Sequence, residues 1–162
     1  MSNYFSDKQI KLLAEAKSSK KYVHLKNENQ SLKDVMSLNN LNKMISMHNC
    51  WNQSNFSLVL NRNIIPFSKF STDGNALGFA TMSPDPLKVS NYISKGASLV
   101  LNDLIYFSKE IQFLADDLQI ITNGKCQANL YFSMQSHQAF APHYDTHDVF
   151  ALHCEGEKVW NI

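Results

Sequence analysis

His143-Tyr144-Asp145 puts an imidazole and a carboxylate two positions apart. On an extended strand, side chains at i and i+2 leave the same face, so both can reach one metal ion. One histidine and one carboxylate are two corners of the facial triad that holds Fe(II) and leaves coordination positions open. A bidentate 2-oxo acid and dioxygen need such open positions. With 6 His and 9 Asp in 162 residues, chance alone supplies a His-x-Asp about a third of the time. The neighbourhood must therefore decide.

The elements that position this pair follow from periodicity. Ser6-Asp7-Lys8-Gln9 has the form of a capping box, and Ile10, Leu12, Leu13 and Ala16 follow at helical spacing, predicting a helix over 7–18. A second helix is expected from Ser31-Leu32-Lys33-Asp34, with an apolar stripe through Val35, Leu38, Leu41, Met44 and Ile45. Phe56–Leu60 reads as a strand. Residues 61–86, rich in proline, read as a long loop with one short strand near Leu77–Thr81. A short helix from Asp85-Pro86 to Gly96, a strand at Ala97–Leu101 and a helix from Ser108 to a cap at Gly124 come next. Beyond Gly124, Ala128–Ser133, His143–Cys154 and Lys158–Ile162 read as strands, the last two joined by a turn at Glu155-Gly156-Glu157. Helices followed by strands make an α+β order, divided into a mainly helical region (1–124) and a β region (125–162).

Composition narrows the classes. Fifteen basic and 14 acidic residues leave a formal charge of +1, so no basic surplus points to nucleic acid. The lysines at 17, 20, 21 and 26 read as a solvated helix end. Cys50, Cys126 and Cys154 are odd in number and widely spaced, which suits reduced thiols rather than a disulfide framework or zinc site. No leader-like start and no membrane-length apolar run is present, so the expectation is a cytoplasmic protein without membrane partners.

The segment Ala128-Asn129-Leu130-Tyr131, then Gln138 to Asp145, Asp148 to Leu152 and Glu155-Gly156-Glu157-Lys158-Val159-Trp160, resembles the JmjC/cupin family, in particular its ribosomal oxygenase branch. The resemblance is close over residues 128–162 and loose upstream. It implies a double-stranded β-helix (jelly-roll) barrel, Fe(II) as metal, 2-oxoglutarate as cosubstrate and hydroxylation of a protein substrate. By the same resemblance His143 and Asp145 match the first two iron ligands and Lys158 the residue pairing with the distal carboxylate of 2-oxoglutarate. Tyr131 and Asn129 match polar residues lining the cosubstrate pocket. Trp160 and Phe150 are expected in the core, and His153 and His137 in structural or solvent-facing places. His147 is a weak third donor, because one straight strand seldom presents three ligands facially.

One departure bears on function. The family takes a second histidine from a later strand, and here the sequence runs only four residues past Lys158. The expectation is an incomplete barrel with two of three metal ligands, prone to self-association through an exposed strand edge. Two other readings stand beside the oxygenase: a catalytically inactive cupin-like binding or assembly module, and a non-oxygenase metal cupin such as an isomerase. Lys158 with Tyr131 and Asn129 favours the oxygenase over the last, because an isomerase needs no 2-oxo acid anchor.

Overall fold

The computed structural model describes residues 4–26, 34–76, 79–134 and 139–160. Among the described residues four α-helices are α1 (Asp7–Ser19), α2 (Leu38–Ile45), α3 (Pro86–Ser94) and α4 (Lys109–Thr122). Six strands accompany them among the described residues: β1 (Phe56–Leu60), β2 (Asn63–Ile64), β3 (Ser71–Ala76), β4 (Phe79–Pro84), β5 (Ser98–Leu101) and β6 (Leu130–Phe132). The mixture of helices and antiparallel strands is the α+β class.

Local chemistry sets the helix ends. Ser6 and Gln9 complete the capping box of α1, each side chain bonding the other residue's backbone N–H. Ser37 caps α2, Asp85 caps α3 through the N–H groups of Leu87 and Lys88 with Pro86 in its first turn, and Ser108 caps α4. The expected start of the second helix at Ser31 falls on residues 31–33, outside the described residues. The α4 C-cap is Asn123 at φ 49°, not Gly124, because asparagine tolerates the left-handed conformation that closes a helix.

One sheet, in the order β2-β1-β5-β6, is antiparallel throughout. Phe56 pairs with Leu101 and Leu58 with Leu99, and all four side chains join the main core with Trp51, Phe70, Leu104, Leu114 and Leu118. Leu99 is fully buried, and Trp51, 2% exposed, donates its indole N–H to the Met44 carbonyl at 2.7 Å. A buried Trp is tolerated only when that donor is satisfied. The N-terminal segment spans α4: the Tyr4 hydroxyl donates to the Glu110 carbonyl at its start, and the Lys17 ammonium donates to the Thr122 carbonyl at its end. A cation on the last carbonyls also suits the helix dipole.

The region 61–86, read above as loop with one strand, instead holds two hairpins. Asn61 and Arg62 sit at φ 51° and 65°, the two-residue turn that matches strand twist, and they fold β2 back onto β1. β3 pairs with β4 from Ser71–Pro84 to Ala76–Phe79 as a separate two-stranded sheet, joined through residues 77 and 78, which lie outside the described residues. Arginine in a left-handed turn is a weak signal, and that is why the first hairpin was illegible.

Residues 143–154 and 158–160, expected as strands, are irregular. Their alternation has no neighbouring strand to supply ladder hydrogen bonds, and alternation without a partner does not hold an extended chain. Completion of a jelly-roll barrel is therefore not a feature of the described residues. No helix among them is long and apolar enough to cross a membrane.

Candidate metal and dicarboxylate site

The sheet has two faces, and they differ. Leu130 and Phe132 of β6 turn toward the core, so strand alternation sends Tyr131 to the other side, opposite Val100. On that second face the segment 139–160 brings its chemistry-bearing residues together.

His143 and Asp145 lie in irregular backbone yet face one another, with imidazole Nε2 4.0 Å from carboxylate Oδ1. Their side chains are 61% and 45% exposed, so mutual attraction across water contributes little stability. Nδ1 of His143 lies 2.9 Å from the Ala141 carbonyl oxygen. With the proton on Nδ1 that bond fixes the tautomer and turns the Nε2 lone pair outward, the usual preparation of a metal-binding imidazole. Two donors about 2.1 Å from one ion lie roughly 3 Å apart when cis in an octahedron, so the observed gap must close by about 1 Å. Exposed side chains can make that adjustment. The donor set, one imidazole and one carboxylate, fits Fe(II). Among the described residues no group of three His, Cys, Asp or Glu is placed to hold a metal.

Lys158 lies near the same feature. Its ammonium is 6.0 Å from the Tyr131 ring centroid and 4.3 Å from that of Trp160. Phe140 bridges the two halves: its ring stands edge-on to Tyr131 at 6.1 Å and to His143 at 6.1 Å. A continuous run of contacts thus leads from the imidazole through Phe140 and Tyr131 to the ammonium. Phe140 was missed as a candidate because an aromatic residue three positions before a histidine carries no signal of its own.

Asn129 stands apart. Its side-chain oxygen accepts the Asp103 N–H at 3.3 Å, while Leu104 N–H donates to the Ala128 carbonyl at 2.9 Å. Asp103 is left-handed at φ 61°, so Asn129 holds a strained turn between β5 and α4. Trp160 and Phe150, expected in the core, are instead 54% and 39% exposed, because the segment carrying them lies outside the helix–sheet layer. His153 bonds the Gly156 carbonyl across the Glu155-Gly156 turn at 2.8 Å, a structural place as expected. His137 lies outside the described residues.

Two contacts tie the segment down. Glu155 accepts the Leu38 N–H at 3.0 Å, an orphan donor in the first turn of α2 where a negative charge is favoured. Cys154 packs against the core, and burial, with the Glu155 charge second, raises its thiol above the ordinary range.

Comparison with known proteins covers the same part of the chain. The JmjC domain family model matches residues 101–162. A Dictyostelium discoideum protein named bifunctional lysine-specific demethylase and histidyl-hydroxylase NO66 is 29% identical over 120 residues, covering 70% of this chain and 23% of that protein. Its namesake in Drosophila persimilis is 34% identical over 87 residues, covering 51% and 12%. Ribosomal oxygenase 1 of Gallus gallus is 34% identical over 77 residues, covering 48% and 13%. The chain thus spans less than a quarter of the length of these relatives. No solved structure matches it. Residues 101–162 thus match the JmjC domain family model, and the chain is similar over part of its length to proteins named histidyl-hydroxylase NO66 and ribosomal oxygenase 1.

Proposed function

We propose that this chain carries the first two iron ligands and the cosubstrate anchor of an Fe(II)- and 2-oxoglutarate-dependent oxygenase, and that the reaction it serves is hydroxylation of a protein side chain. The carrying observation is the His143–Asp145 pair, 4.0 Å apart, with Nδ1 of the histidine tied to a backbone carbonyl. When bound, Fe(II) with 2-oxoglutarate and dioxygen supplies oxidative hydroxylation of a C–H bond. His143 Nε2 and Asp145 Oδ1 hold the metal, and the Ala141 carbonyl keeps the imidazole proton on the far nitrogen. Lys158 pairs with the distal carboxylate of the cosubstrate, and Tyr131 offers a hydroxyl beside it. Asn129 is engaged with Asp103 and supports the site by fixing the entry to β6. The protein substrate follows the relatives named lysine-specific demethylase and histidyl-hydroxylase, and the near-neutral charge of the chain is the ground for expecting no nucleic-acid partner.

The test is metal and cosubstrate binding by this chain. Co(II) titration followed by its visible absorption should show a bound species that both His143→Ala and Asp145→Ala abolish. Lys158→Met should weaken 2-oxoglutarate at least tenfold while Co(II) affinity holds. Wild-type-like Co(II) binding by both alanine variants would refute the assignment. A second reading, a binding module on the same scaffold, is favoured by one observation: only two metal-ligating side chains converge among the described residues. Under it Co(II) and 2-oxoglutarate both fail to bind the wild type.

A further inference from the structure

We propose that Tyr131 and Trp160 form an aromatic seat for the Lys158 ammonium, with Trp160 acting as a positioning residue that sets how well Lys158 receives a carboxylate. This rests on the reading of Lys158 as the cosubstrate anchor. The ammonium lies 4.3 Å from the Trp160 centroid and 6.0 Å from the Tyr131 centroid, both within cation–π range. The backbone of Tyr131 is fixed by the β5–β6 ladder opposite Val100, so one wall of the seat stands on the sheet. Trp160 is the other wall, two residues along from Lys158 and half exposed, not packed into the core.

The choice of partner matters for an anion-binding lysine. Among the described residues Lys158 makes no ion pair. A carboxylate partner would position the ammonium equally well, but it would neutralise the charge and compete with the incoming ligand. A ring face attracts the cation without cancelling it and leaves its N–H donors free for a carboxylate. Lysine is otherwise a flexible point charge on a four-carbon stem, so a seat reduces the ordering that binding must impose. The same Tyr131 ring touches Phe140, and Phe140 touches His143, so the seat is in register with the metal pair.

The experiment uses the 162-residue chain with 13C,15N-labelled lysine, 2-oxoglutarate as probe and Co(II) as a separate metal probe. In the wild type the Lys158 side-chain methylene protons should be shifted upfield by the ring currents relative to the other lysines. Trp160→Leu should remove most of that shift and weaken 2-oxoglutarate roughly two- to five-fold, the factor for an exposed cation–π contact. Trp160→Phe should recover part of both, and Co(II) affinity should hold in each variant. The proposal fails if the wild type shows no upfield shift, or if Trp160→Leu removes the shift with 2-oxoglutarate affinity unchanged. It also fails if Co(II) and 2-oxoglutarate affinity fall together in Trp160→Leu without recovery in Trp160→Phe, since that marks a structural role. An ineffective Lys158→Met would instead sink the anchor assignment itself, and this proposal with it, whatever the shifts show.

Discussion

The helix–sheet layer and the segment 139–160 are built on opposite principles. In the layer, β5 is buried at every position, and Leu58, Leu99 and Leu101 have no solvent contact. In the segment, Tyr144, Val149, Val159 and Trp160 are exposed, and few polar contacts reach the layer: Glu155 to Leu38 N–H, and Asp148 to Lys17 at 3.9 Å. Dense packing positions by exclusion, since a side chain in a full core has nowhere else to go. The segment positions by hydrogen bonds and ring contacts, which set direction while leaving side chains room to move. The residues proposed to meet metal and cosubstrate stand in the second kind of environment, supported by Tyr131 from the first.

Variants can sharpen or break that contrast. The largest effect on stability is expected from Leu99→Ala, about 2–5 kcal/mol by chemical denaturation, because it empties a site closed on both faces of the sheet. His143→Ala and Asp145→Ala should change stability by no more than about 0.5 kcal/mol while removing metal binding. A loss above 2 kcal/mol for either would mean that the segment is integral to the layer. Between these extremes lies Asn129→Ala, which unties Asp103 and should cost about 1–2 kcal/mol. Its 2-oxoglutarate affinity should fall less than that of Lys158→Met.

The smallest effect is one of rate. Cys154 is partly buried and raised by burial first and Glu155 second, and Cys126 is raised by burial, whereas Cys50 is exposed. Iodoacetamide should therefore modify Cys50 fastest. A raised pKa leaves less thiolate at a given pH, so the rate at Cys154 should still climb above about pH 8.5, the ordinary thiol range. Glu155→Gln keeps a hydrogen-bond acceptor for Leu38 but removes the charge, and it should move the Cys154 profile down only in part. A Cys154 that reacts as fast as Cys50 would show that the segment lifts off the core freely.

Much of the layer was legible in the sequence because local and global signals agree there. Ser6, Asp85 and Ser108 are caps with periodic apolar residues behind them, and Phe56–Leu60 carries its own alternation. The β1–β2 hairpin was not legible, since its turn uses Asn61-Arg62 where the common signal is a glycine. The segment misled in the opposite direction: residues 143–154 alternate like a strand but lack a ladder partner. For the candidate site, the His-x-Asp spacing identified a pair that does face one another, though not by the strand geometry that suggested it. The seat around Lys158 could not be read ahead, because Tyr131 and Lys158 are brought together only by tertiary structure.

The bond from Glu155 to Leu38 joins residues 117 positions apart, and that separation has a meaning in time. A ribosome adding about 5–20 residues each second emits the start of α2 roughly 6–23 s before Glu155. Domain-sized pieces fold well within that interval. The Leu38 N–H is thus made well before the carboxylate that accepts its bond. The chemistry-bearing residues dock on a helix start made earlier in synthesis, and an error in α2 would be inherited by the site that docks on it.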